Sequence, residues 1–170
     1  AQDGIENVDV IIGGPPCQAY SLVGRAQSSH METPMEDDPR NELYKMYTQF
    51  LAKYHPRMFV FENVAGITTA RNGVAFRNLQ RQLKRVGYEI EPRELNAKDF
   101  GVLQNRRRMV IMGWLKGSNY HYPQFTNMRV NAIVNDVLSD LPALERGQKL
   151  DAYRDDVEIS DYLTRFMIRN

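Results

Sequence analysis

Between Val8 and Leu115 the sequence alternates short apolar runs with stretches of helical period, and this alternation constrains the fold more than any other feature. Val8 to Gly13 reads as a first strand, ended abruptly by Gly13-Gly14-Pro15-Pro16. Leu43, Met46, Tyr47, Phe50, Leu51 and Tyr54 then recur at helical spacing, and Pro56 stops that helix. Met58 to Glu62 is a second apolar strand. Phe76, Leu79, Leu83 and Val86 mark a second helix, closed by Gly87. "YEIEPREL" from Tyr88 alternates like a strand, with Pro92 suggesting an edge or a bulge. "RMVIMGWL" from Arg108 is a further strand, and Ile133 to Leu141 suggests one more helix before Pro142. A weaker helical signal lies near Tyr162 to Met167. Strands alternating with helices predict an α/β fold with parallel pairing and helices on the faces of the sheet.

Ligands of such sheets bind outside the carboxyl ends of the strands. Two of these ends carry chemistry: Cys17 after the first strand, and Glu62-Asn63 after the second. The prolines before Cys17 fix the local backbone, so the thiol sits on a stiff turn rather than in a packed interior. The stretch from Gly14 to Arg40 is too long for an idle loop and reads as a lid or binding loop. "QNRRR", Gln104 to Arg108, opens the last strong strand. An isolated arginine triplet is as readily a solvated turn as a site. If its strand runs antiparallel to the others, its start lies at the edge that holds Cys17 and Glu62.

At 170 residues the chain is about one domain. Its 22 basic and 21 acidic residues leave a net charge of +1, so an anionic partner must be met by local clusters. The single Cys excludes an internal disulfide and fits a reducing cytoplasm. No apolar run reaches the roughly 20 residues of a membrane span, so no membrane partner is expected. No signal peptide precedes the first strand. The first residue is Ala, and the expectation is a piece of something longer.

"GGPPCQAYS", "FENVAG" and "QNRRRMVIMG", in this order, resemble the central motifs of the cytosine-5 DNA methyltransferases. "DPRNELYKMY" resembles the segment between the first two, and "VNDVLSDLP" the stretch that follows the third. The resemblance covers about Asp9 to Gly113. It implies the later half of a doubly wound, mostly parallel sheet of the S-adenosylmethionine-dependent type, with an antiparallel last strand. The central part of the catalytic domain would be residues 1–117. Residues 118–170 would then lead toward a target-recognition domain that is not part of this sequence.

The chemistry can be set beside the resemblance. Carbon 5 of cytosine is a poor nucleophile until a thiolate adds at carbon 6, which requires Cys17 as the anion. Glu62, if protonated, can donate to nitrogen 3 and accept from the exocyclic amine. A carboxyl group kept neutral near pH 7 needs burial or a negative neighbour. By resemblance Arg108 holds oxygen 2 and Arg106 helps to organise the thiol. Asn63 braces the Pro-Cys turn, and Gln104 supports the site. A target cytosine must be flipped out of the duplex, and the loop bearing Gln18, Ser21 and Arg25 is placed on the DNA. Arg77, Arg81, Lys84 and Arg85, on the second helix, read as its solvated face.

The implied methyl donor is S-adenosylmethionine, with Pro16 and Leu43 at family positions that pack against it, and no metal is implied. The glycine-rich turn and the acidic residues that grip its ribose are absent from the sequence. Double-stranded DNA is the implied partner, together with a cognate restriction endonuclease, in a bacterial cytoplasm. Three alternatives stand beside this reading. An RNA (tRNA) cytosine methyltransferase would use the same thiol. A Cys-His hydrolase would need a histidine at the site, and His30, His55 and His121 occupy no motif position. A non-catalytic nucleic-acid-binding module is the third.

Overall fold

A computed structural model describes residues 7–16, 43–128, 130, 133–158, 160 and 164. Four strands form one mixed sheet: β1 (Val10–Gly13), β2 (Met58–Val64), β3 (Tyr88–Asn96) and β4 (Arg107–Leu115), in spatial order β1-β2-β4-β3. β1 runs parallel to β2, while β4 lies antiparallel to both β2 and β3. Helices α1 (Leu43–Tyr54) and α2 (Val74–Arg85) connect β1 to β2 and β2 to β3. A short helix α3 (Val134–Leu138) follows the sheet. The α/β class is as the sequence predicts, and so is the antiparallel last strand.

The pairing differs from a simple parallel series, because β4 inserts between β2 and β3. Composition explains the exchange. β4 carries Met109, Val110, Ile111, Met112 and Trp114, suited to a central position with two neighbours. β3 carries Glu89, Glu91, Arg93, Glu94 and a mid-strand proline, which protect an edge. α3 is also shorter than the Ile133–Leu141 period predicts, since the chain turns at Ser139-Asp140. The segment around Tyr162 to Met167 lies almost wholly outside the described residues.

One face of the sheet is covered by helices. Phe59 and Phe61 of β2, Met109 and Ile111 of β4, and Tyr88 of β3 pack there with Tyr47 and Leu51 of α1 and with Ala75, Leu79 and Leu83 of α2. Phe59 stacks edge-on to Tyr47 and Tyr88. Its ring lies against Gly113, its cross-strand partner, where an added Cβ would stand 2.2 Å from Phe59 Cε1. Buried hydroxyls tie elements together. Tyr47 Oη, 3.1 Å from Ile11 O and 3.0 Å from Val60 O, shares its proton between β1 and β2. Tyr88 Oη donates to Pro56 O at 2.8 Å. On the other face β1 leaves Ile12 76% and Val10 44% exposed.

The segment after β4 crosses that second face near β3. Arg57 donates to Tyr120 Oη, and the Arg93 guanidinium lies 4.1 Å from the centre of the Tyr122 ring. Met128 N then donates to Asp99 O. Tyr122 is buried, and its hydroxyl has no partner among the described residues. No described helix is long and apolar enough to cross a membrane.

Candidate active site

The parallel pairing of β1 with β2, and the reversal of β4, bring three chain segments to one edge of the sheet. Gly13 pairs with Phe61, so the chain leaves β1 beside Glu62. Val64 pairs with Arg108, so β4 begins where β2 ends. Side chains alternate along a strand. Glu62 and Arg108 therefore share the face opposite the helices, whereas Asn63 turns into the helical layer.

Glu62 and Arg108 form an ion pair, Arg108 Nε to Glu62 Oε1 at 2.7 Å, with the two side chains 45% and 24% exposed respectively. Arg108 Nη1 also donates to Arg107 O at 2.9 Å. In place of the burial or negative neighbour expected at Glu62, its partner is a cation and nearly half of its side chain is open. Gly14 closes on this pair from β1. A Cβ there would stand 2.8 Å from Glu62 Oε2, so the carboxylate rests against the backbone just before Pro15-Pro16.

Asn63 is 4% exposed and makes two hydrogen bonds. Its Nδ2 donates to Pro15 O at 3.1 Å, and its Oδ1 accepts from Val64 N at 2.9 Å. The amide thereby ties the proline turn to the end of β2. Gly13 faces Tyr47, whose Cε2 would lie 2.7 Å from an added Cβ. Both glycines of "GGPP" thus mark close approaches, one to the core and one to the carboxylate.

The three arginines of "QNRRR" have separate surroundings. Arg107 points to the helical side and pairs with Glu94. Arg108 meets Glu62. Arg106 is exposed; its backbone N–H donates to Asn96 Oδ1 at 3.1 Å, and its guanidinium has no partner among the described residues. Gln104 is exposed and lines a hollow of about 550 Å³ with Val102, Leu103, Val134 and Leu138. Pro16 is exposed and Leu43 half-buried. Cys17, Gln18, Ser21 and Arg25 lie outside the described residues, as does most of the long loop that carries them. Sequence reasoning did not find the Glu62–Gly14 contact, the Tyr47 bridge or the Glu94–Arg107 pair. The adjacent glycines were the one available signal for the first of these.

A donor such as S-adenosylmethionine needs polar groups for its ribose and apolar surface for its adenine. Pro16, exposed, and Leu43, half-buried, each leave apolar surface that could serve such a donor, and the described residues hold no glycine-rich turn between a strand and a helix. No group of three or more His, Cys, Asp or Glu residues arranged for a metal occurs among the described residues.

Comparison with known proteins follows the same segments. The profile of the C-5 cytosine-specific DNA methylase family matches residues 1–165. The type II methyltransferase M.Bpa9945I of Bacillus paralicheniformis is 40% identical over 157 residues, covering 85% of this chain and 35% of its own length. M.MthTI of Methanothermobacter thermautotrophicus, also a type II methyltransferase, is 33% identical over 176 residues, covering 98% of this chain and 51% of its own. The chain thus spans about a third to a half of the length of these relatives. A crystal structure of an E. coli prophage-encoded protein, described as a DNA modification methyltransferase, superposes with a TM-score of 0.61 at 26% identity. It covers 84% of this chain and 37% of that one. The ion pair, the proline turn and the reversed strand therefore stand in a chain that belongs to the C-5 cytosine-specific DNA methylase family.

Proposed function

We propose that this chain carries the catalytic centre of an enzyme that methylates carbon 5 of a flipped-out cytosine in double-stranded DNA. The observation that carries the reading is the Glu62–Arg108 pair at the joined ends of β2 and β4, closed by Gly14 three residues before Cys17. One edge of cytosine presents an exocyclic amine, nitrogen 3 and oxygen 2 in sequence. A carboxyl group beside a guanidinium is complementary to that row: Glu62 takes the amine and nitrogen 3, Arg108 takes oxygen 2.

The incoming base would divide the pair. Moving Arg108 from Glu62 to oxygen 2 removes the cation from the carboxyl group as the base seals it from water, which favours a protonated Glu62. The Cys17 thiolate adds to carbon 6, and charge developing on the ring is met by Glu62 at nitrogen 3 and Arg108 at oxygen 2. S-adenosylmethionine, which Pro16 and Leu43 would hold, would supply the methyl group to the carbon 5 nucleophile and leave as S-adenosylhomocysteine. Transfer of the carbon 5 proton to a solvent base, return of the nitrogen 3 proton to Glu62 and departure of the Cys17 thiolate restore the ring. Arg106 is assigned to the thiol and Asn63 to the turn that aims it. Gln104 supports the site from the loop before β4. Gln18, Ser21 and Arg25 are assigned to DNA phosphates. A cognate restriction endonuclease and a bacterial cytoplasm accompany this reading, by analogy with type II relatives.

The test is covalent trapping. The complete gene product, given S-adenosylmethionine and duplex DNA with 5-fluorocytosine at the target, should form an adduct that survives denaturation, because fluorine cannot leave as a proton does. Cys17→Ser should abolish it without unfolding the protein. An adduct that persists in Cys17→Ser would refute the assignment.

A further inference from the structure

Tyr47, on α1, is 7% exposed and packs on the helical side of the sheet. Its ring meets Phe61 edge-on, with centroids 5.3 Å apart. It also fills the space that Gly13 leaves, where an added Cβ would stand 2.7 Å from Tyr47 Cε2. Gly13 is the last residue of β1 and pairs with Phe61, the residue before Glu62. The phenol therefore touches both strands at the rung where the chain passes into the site. Its hydroxyl reaches further back along both, to Ile11 O on β1 at 3.1 Å and Val60 O on β2 at 3.0 Å. A phenylalanine ring would fill the same core. The hydroxyl adds a desolvation penalty that only its two acceptors offset. β1 is four residues long, and β2 is its one strand neighbour among the described residues. Such a short, one-sided pairing opens readily. Beyond it Pro15 and Pro16 stiffen the chain, so a displacement of β1 is carried along toward Cys17.

We infer that Tyr47 is a positioning residue for methyl transfer: its hydroxyl fixes the end of β1 against the end of β2, and so the separation of the Cys17 thiol from the Glu62 carboxyl across the base. The inference rests on the methyltransferase reading of Cys17 and Glu62. Tyr47 stands on the helical side of the sheet, whereas Glu62 and Arg108 share the opposite face. It therefore acts only through the two backbones that it joins. Attack at carbon 6 and protonation at nitrogen 3 occur on one ring, so both groups must be in place together. Misplacement of about 1 Å in such a constellation slows reaction about 100-fold.

The experiment compares Tyr47→Phe with Tyr88→Phe in the complete gene product. Each variant keeps its ring and loses one buried hydroxyl. Tyr88 Oη, however, donates to Pro56 O, at the opposite end of β2 from Glu62. Urea unfolding checks that the two lose comparable stability. At saturating DNA and S-adenosylmethionine, single-turnover methyl transfer and trapping of 5-fluorocytosine should both slow about 10- to 100-fold in Tyr47→Phe. DNA affinity should be unchanged, since a positioning loss falls on the chemical step rather than on binding. Tyr88→Phe should keep wild-type rates at a temperature where both variants are folded. Amide exchange at residues 10–13 should accelerate about 5- to 30-fold in Tyr47→Phe alone, the factor expected of a lost hydrogen bond. Wild-type rates in Tyr47→Phe, or unchanged exchange in β1, overturn the inference. So does equal slowing in Tyr88→Phe, which would make the effect one of general stability, or a loss confined to DNA affinity. The exchange measurement needs no turnover, and Cys17→Ser trapping needs no Tyr47 variant, so this inference and the catalytic reading can fail separately.

Discussion

Substituting Gly14 by Ala separates the site from the fold. Gly14 does not occupy the left-handed region, so the backbone accepts an alanine. The new Cβ would stand 2.8 Å from Glu62 Oε2, 3.5 Å from Glu62 O and 3.9 Å from Glu62 Cβ. The tight contact is thus with the tip of a flexible, partly exposed side chain, which can swing. To reach ordinary contact at 3.4 Å the carboxylate must move by about 0.6 Å, away from its place beside Arg108. An ion pair this exposed contributes about 1 kcal/mol or less. Gly→Ala also removes about 0.4–1 kcal/mol of unfolded-state entropy, which offsets the loss. Urea unfolding should therefore shift by less than about 1 kcal/mol in either direction. Methyl transfer should slow by roughly 10- to 100-fold, because sub-ångström misplacement of a group proposed to touch the base is costly. Gly113→Ala provides the contrast. Its Cβ would meet the Phe59 ring at 2.2 Å and 2.4 Å, in a side chain with no exposure. Overpacking there should cost about 3 kcal/mol or more. A Gly14→Ala protein as unstable as Gly113→Ala, or one with full activity, would refute the reasoning that Gly14 serves the carboxylate.

Two buried tyrosines should respond oppositely to loss of the hydroxyl. Tyr88→Phe orphans Pro56 O and should cost about 1–3 kcal/mol in urea unfolding, whereas Tyr122→Phe removes a buried hydroxyl without a described partner and should be neutral or stabilising. Asn63→Asp keeps the size but replaces the donor to Pro15 O with an acceptor; a destabilisation of about 1–3 kcal/mol, with slower adduct formation, is expected. At alkaline pH, burial pushes the Tyr88 phenol up to about 12, and Tyr47 is raised by burial and then by the Tyr88 charge. The stability they contribute is intact below the unfolded phenol value near 10 and is lost as pH rises toward about 12. Urea midpoints measured across that window should fall, with phenolate absorbance appearing together with unfolding.

The sequence determined the elements and the edge at which chemistry collects. Helical spacing in Leu43 to Tyr54 and in Phe76 to Val86, and apolar runs bounded by Gly and Pro, are local signals, and local signals survive in a linear string. The carboxyl ends of β1 and β2 were legible as a shared edge because parallel strands joined by a helix leave little freedom. Tertiary structure alone decided that β4 enters between β2 and β3, since strand order depends on which surfaces are buried against each other. It alone paired Arg108 with Glu62 and sent Arg107, one residue earlier, to Glu94 on the opposite face. It also gave the two glycines their separate meanings. A missing side chain has no pattern of its own, and only a neighbour brought close by the fold, Tyr47 for Gly13 and Glu62 for Gly14, shows what a side chain there would displace.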